Sequence, residues 1–137
     1  WIAAADSQGN INSNYGWVMF SLENGTQYIN VLNELEKNRD SRRAIAIYNR
    51  PSMHDEYNKN GMSDFMCTNA VQYLIRDDVL IAIVQMRSND AVFGYKNDRA
   101  WQDHIAEKLQ EITGCKSRKI IWNAGSLHVY SKHFHLV

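Results

Sequence analysis

Two apolar, β-branched runs, Thr68–Ile75 and Val79–Met86, flank the acidic pair Asp77-Asp78. That pattern predicts a β-hairpin, because two residues are the shortest loop that reverses a chain between paired strands. A hairpin of this length needs a partner layer for its apolar face, so the remaining elements must supply helices or further strands. Tyr28, Val31, Leu32 and Leu35 fall at i, i+3, i+4 and i+7, the stripe of an amphipathic helix, with Thr26 placed as its N-cap. Asn97 to Thr113 reads as a second helix. Its core stripe is Ala100, Trp101, Ile105, Leu109 and Ile112, and Gly114 its C-cap.

Shorter signals fill the gaps. Ala44–Tyr48 is an apolar run between Arg42-Arg43 and Pro51, read as a buried strand, and Tyr15–Leu22 is aromatic and apolar, read as another. Ile120–Trp122 and Leu127–Tyr130 read as strand pieces around Gly125. Residues 6–14 form a polar loop, and 51–64 is a long one, of the kind that often carries function. Strands outnumber the two helices, so the fold class is α+β, in a single domain spanning 1–137.

Composition narrows the function. Fifteen Lys+Arg balance fifteen Asp+Glu, which argues against a nucleic-acid binder working through a broad basic field. A hydrophobic fraction of 45% and a charged fraction of 22% exclude a disordered, collagenous or coiled-coil chain. No apolar run approaches the ~20 residues of a membrane span. Cys67 and Cys115 give no disulfide framework and no C-x-x-C pair, and no secretory leader is visible; the expectation is a reduced, cytoplasmic protein. His128, His133 and His135 lack Cys or acidic partners at ligand spacing, so no metal is expected.

Several residues have chemistry to offer. Cys67 stands at a loop–strand junction; a buried structural thiol is the plain reading and a nucleophile the sharper one. Arg42-Arg43 is a solvated pair or an anion site. Arg87-Ser88-Asn89-Asp90 puts a cation, a hydroxyl and a carboxylate at a strand end, and His128 and Tyr130 at i, i+2 share one strand face.

Together these segments resemble the thymidylate synthase family in order and spacing along the whole chain. The resemblance rests on Asp40-Ser41-Arg42-Arg43 before an apolar strand, a Cys opening a hairpin, Arg87–Gly94, and His128-Val129-Tyr130-Ser131-Lys132-His133. Ile11–Trp17, Arg50-Pro51-Ser52-Met53, Gly61–Thr68 and Met86–Asp90 are similar to its phage deoxycytidylate (dCMP) hydroxymethylase branch. Most synthases carry His directly after the nucleophile; here the residue is Thr68. Family chains usually extend further at both ends, so 137 residues read as a core portion of a mixed sheet packed with helices.

The resemblance implies an enzyme acting on a pyrimidine deoxynucleotide with 5,10-methylenetetrahydrofolate as co-substrate. Cys67 would add to C6 of the ring and Tyr15 would assist proton transfer at C5. Arg87 and Ser88 would hold the phosphate, with Asn89 and Gly94 beside them, and Arg42 and Arg43 would reach the phosphate of a partner subunit's site in a homodimer. His128 and Tyr130 would bond the ribose hydroxyl. Asp90 would lie between base and folate, and Trp1 on the folate side. No nucleic acid or membrane partner is implied, and the location is the cytoplasm, that of the host for a phage-encoded chain.

Asp98 falls where deoxyuridylate-specific members of the family carry Asn. Alone it reads as an acid favoured by a helix start. A carboxylate accepts from the N4 amino group of cytosine but meets O4 of uracil as acceptor against acceptor. The implied reaction is dCMP 5-hydroxymethylation. The alternatives are methylation of dUMP, or a nucleotide-binding module without turnover.

Overall fold

The computed structural model describes residues 2–137; Trp1 lies outside them. The expected hairpin is present as β2 (Thr68–Arg76) and β3 (Val79–Met86), joined through Asp77 and Asp78, both at positive φ (50° and 63°). Two left-handed residues in succession are the geometry whose twist matches that of paired strands. β1 (Ile45–Ile47) pairs antiparallel with β2, and β5 (Ser117–Ala124) pairs parallel with β3, giving a mixed sheet in the order β1-β2-β3-β5. The short β4 (Asn89–Asp90) and β6 (Leu127–His128) form a separate parallel ladder beyond the ends of β3 and β5.

Two helices cover one face of the sheet. α2 (Gln27–Lys37) buries Val31 and Leu35, with Tyr28 and Leu32 packed at the rim, as its spacing predicts. α4 (Gly94–Thr113) makes the connection between β3 and β5 and ends on Gly114 at φ 68°, the left-handed C-cap expected there. Ala46, Val71, Tyr73, Ile75, Leu80, Ala82 and Val84 meet these helices from the sheet. The opposite face is left open. The register lines up Ile45, Gln72, Ile83 and Ile121 across all four strands, and Leu74 with Ile81 beside them. Ile45 and Ile47 are 44% and 48% exposed.

Several sequence expectations need correction. Tyr15–Leu22 is not a strand: Tyr15–Phe20 is the helix α1. Asn14 decides it, because its side chain accepts from the Trp17 N–H at 3.0 Å and its carbonyl from Val18, so the first helical turn is capped before strand propensity acts. The loop 51–64 contains a helical turn, α3 (Met53–Glu56), which buries Met53. α4 starts three residues early, and its core stripe is Gln102, Ile105, Ala106 and Leu109; Ala100 and Ile112 face outward. A polar residue in the stripe disguised its phase. β5 extends well beyond Ile120–Trp122, while Tyr130 lies past the end of β6.

Candidate active site

The site gathers where β2 begins and β3 ends. The Arg87 N–H donates to the Cys67 carbonyl at 2.7 Å, so hairpin pairing itself sets these two residues side by side. The Arg87 guanidinium donates to the carbonyls of Met66 (3.3 Å) and Phe65 (3.4 Å), lies over the Phe65 ring at 4.7 Å, and brings Nη2 to 3.9 Å from the Cys67 Sγ. Burial pushes the Cys67 thiol up; the Arg87 charge pulls it down without cancelling burial, and Asp98 and Asp64 add to the upward push. Gly125 permits the turn behind Arg87: a Cβ there would lie 3.1 Å from the Arg87 carbonyl oxygen.

A register shift between Thr68 and Ala70 interrupts the hairpin directly after Cys67. It lets Thr68 and Val71 both point into the core although they are three residues apart, which a regular strand forbids. The buried Thr68 hydroxyl thereby lies 2.8 Å from the Tyr15 hydroxyl and 3.2 Å from the Met86 sulfur. Tyr15 comes from α1 and stacks edge-on against Tyr48 at 5.1 Å. Trp101 lies beyond them and donates its indole N–H to the Tyr48 hydroxyl at 2.9 Å. Burial, and then the neighbouring Asp98 charge, raise the Tyr15 hydroxyl far above its ordinary range. Burial likewise pushes Tyr48 up to about 12.

Asp98, on the first turns of α4, faces the same space. Its Oδ2 accepts from the Asn89 amide at 2.9 Å, and burial raises its carboxyl above the ordinary value while bonds from Tyr15 and Asn89 pull the other way. Tyr15, Asp98, Ser13, Asn14, Asn97 and Trp101 line a cleft of about 460 Å³, within the range of small-molecule sites. Asp64 anchors its N-terminal wall: the buried carboxylate accepts from both the N–H and the hydroxyl of Ser13, each at 2.7 Å.

The structure therefore brings together Cys67, Tyr15, Arg87, Asn89 and Asp98. Ser88 follows Arg87 in the link to β4. Asp90 turns its carboxylate onto the N–H groups of Val92 (3.1 Å) and Phe93 (3.3 Å), and Gly94 packs against it: a Cβ on Gly94 would lie 3.2 Å from that of Asp90. His128 is opposite Asp90 in the β4–β6 ladder and meets the Tyr130 ring edge-on at 5.0 Å. Arg42 and Arg43 stand apart. They border a small cleft of about 220 Å³, Arg43 pairs with Glu34 at 3.1 Å, and the Ala44 carbonyl takes the Tyr73 N–H. That pairing places them some six residues up β2 from Cys67, roughly 20 Å at ~3.3 Å per residue. Trp1 lies outside the described residues.

Sequence reasoning gave no site role to Asp64, Trp101 or Trp122. Each acts by contacting a residue distant in sequence, so no local pattern marks it.

The comparisons with known proteins agree with this geometry. The thymidylate synthase family model matches residues 1–137. The chain belongs to the thymidylate synthase family. Within that family it is 57% identical over 144 residues to the deoxycytidylate 5-hydroxymethyltransferases of Enterobacteria phages T4 and T2, an alignment covering all of this chain. It spans 58% of the length of those proteins. It is also 28% identical over 100 residues to a putative thymidylate synthase of Methanocaldococcus jannaschii, covering 73% of this chain and 45% of that protein. The α+β expectation, with a mixed sheet packed by helices, and the family resemblance both hold.

Proposed function

We propose that this chain carries the nucleotide site of a deoxycytidylate 5-hydroxymethyltransferase. The observation that carries the reading is Asp98, a carboxylate half-withdrawn from water, held by Asn89 and facing the cleft it shares with Tyr15. Its carboxylate accepts from the N4 amino group of cytosine and repels O4 of uracil. A carboxyl raised by burial also lends itself to carrying the proton that pairs with cytosine N3. The 57% identity to the phage hydroxymethyltransferases supports the same assignment.

In this reading the Cys67 thiolate adds to C6 of the ring, which makes C5 enamine-like and nucleophilic. Methylenetetrahydrofolate, bound against the cleft, supplies a one-carbon unit at the oxidation level of formaldehyde. Tyr15, set by Thr68, assists removal of the C5 proton as the bond from the one-carbon unit to the folate nitrogen breaks and tetrahydrofolate leaves. Water then adds to the exocyclic methylene and Cys67 departs from C6. Arg87 and Ser88 hold the phosphate, Asn89 and Gly94 shape the floor, His128 and Tyr130 bond the sugar, and Asp90 stands at the folate side. The site functions as a homodimer in the cytoplasm of the host. The ~20 Å between Cys67 and the Arg42–Arg43 pair supports action of those arginines on a partner's phosphate. The open apolar sheet face supports a second copy as its cover.

The test is the product. Incubation with dCMP and methylenetetrahydrofolate is expected to give 5-hydroxymethyl-dCMP with no rise in dihydrofolate absorbance, and 5-fluoro-dCMP is expected to trap on Cys67. Dihydrofolate appearing in step with turnover would overturn hydroxymethylation in favour of methylation. Absence of any trapped adduct would leave only a binding module.

A further inference from the structure

Asn89 is 1% exposed, yet its side chain carries two donors and an acceptor that need partners. Its Oδ1 accepts from the Trp122 indole N–H at 3.1 Å, and its Nδ2 donates to the Asp98 Oδ2 at 2.9 Å. An indole N–H only donates. Turning the amide over would set donor against donor at Trp122 and acceptor against acceptor at Asp98, losing both bonds in a buried place. Trp122 and Asp98 therefore hold the Asn89 amide between them in a single orientation. The indole itself is held from β5 and by the Tyr95 ring, edge-on at 5.4 Å.

We propose that Trp122 and Asn89 are a positioning pair for base selection, in which the indole N–H locks the Asn89 amide so that it always donates to Asp98. With Oδ2 engaged by Asn89 and Tyr15 also bonded to the carboxyl, Asp98 cannot rotate freely and keeps an acceptor lone pair towards the base. Without Trp122 the amide keeps its donor towards Asp98 but loses the anchor on its oxygen, so it no longer holds the Asp98 Oδ2 in one place. The carboxyl then rotates, and no oxygen is held in place to accept from N4 of cytosine. The inference rests on the reading of Asp98 above and adds that discrimination is set by two residues that never touch the base.

The experiment measures kcat/KM for dCMP and dUMP in the intact protein. Trp122→Phe keeps an aromatic ring and deletes only the donor. It is expected to lower the dCMP/dUMP ratio roughly tenfold, the scale of one hydrogen bond to a charged group. Asn89→Ala is expected to give a similar fall, and Trp122→Phe to add nothing in the Asn89→Ala background. A packing role alone would lower thermal stability, leave the ratio unchanged and add in the double variant; that result overturns the proposal. Should Trp122→Phe not fold, Asn89→Ala carries the test by itself, and an unchanged ratio there is equally fatal. Asp98→Asn separates the two levels. A ratio unmoved by Asp98→Asn sinks the reading of Asp98, whereas a ratio that responds to Asp98→Asn but to neither Trp122→Phe nor Asn89→Ala overturns the positioning pair alone.

Discussion

Cys67 sits between opposed influences: burial holds its proton on, and Arg87 at 3.9 Å favours the thiolate. Because burial wins, the resting residue is a thiol near neutral pH, and its reactivity must climb with pH until the thiol has titrated. Alkylation of the Cys67 peptide, followed by mass spectrometry, is expected to accelerate up to tenfold per pH unit below that point. Arg87→Gln removes the opposing charge, so the profile is expected to move to higher pH, and a profile that stays put would show that Arg87 serves only the backbone carbonyls of Phe65 and Met66. Cys67, Arg87 and Asp98 were legible through the family resemblance, since on their own they read as a structural thiol, a strand-end cation and a helix-start acid. Thr68 was legible only as a departure from the family, since its partner Tyr15 lies 53 residues away.

At the scale of elements, the turn that leads into α4 is closed by Asp90, a residue the resemblance assigned to ligand binding. Burial raises the Asp90 carboxyl, but the N–H groups of Val92, Phe93 and Gly94 together hold it below its ordinary value. A carboxylate depressed in the fold stabilises it above the unfolded pKa, and that contribution is lost as pH falls through the folded value. Asp90→Ala is expected to cost about 1 kcal/mol at pH 7, the usual net value of an intramolecular hydrogen bond. Asp90→Asn is expected to cost less, since its amide oxygen still accepts. In denaturant titrations the gap between native protein and Asp90→Asn is expected to close below the ordinary carboxylate range. A gap independent of pH would mean that the charge contributes nothing. This turn-closing role is compatible with the proposed place of Asp90 beside the folate, because the turn leads directly into the part of α4 that carries Asp98.

At the scale of the whole molecule, one face of the sheet is packed by α2 and α4 and the other presents Ile45, Ile83 and Ile121 in one row. Placing a charge in that row should expose the proposed dimer. Ile83→Asp is expected to sediment as a monomer and to lose turnover, because the Arg42–Arg43 pair no longer reaches a partner's site. The complementary arm mixes Arg43→Ala subunits with Cys67→Ser subunits. Each heterodimer then holds one intact site, and activity is expected to return after subunit exchange. No return once exchange is verified would place the arginines in some other role.

Periodicity determined the hairpin, the α2 stripe and the C-cap at Gly114, because those depend on neighbours one to four residues apart. The resemblance along the chain likewise singled out Cys67, Arg87 and Asp98 as candidates. Only the tertiary structure decided that a slip in register turns Thr68 towards Tyr15, and that Trp122 and Asp98 hold Asn89 between them. Those outcomes depend on which buried donor finds which acceptor across 33 to 53 residues of chain. A hydrogen bond between distant residues leaves no periodic trace in the sequence that encodes it.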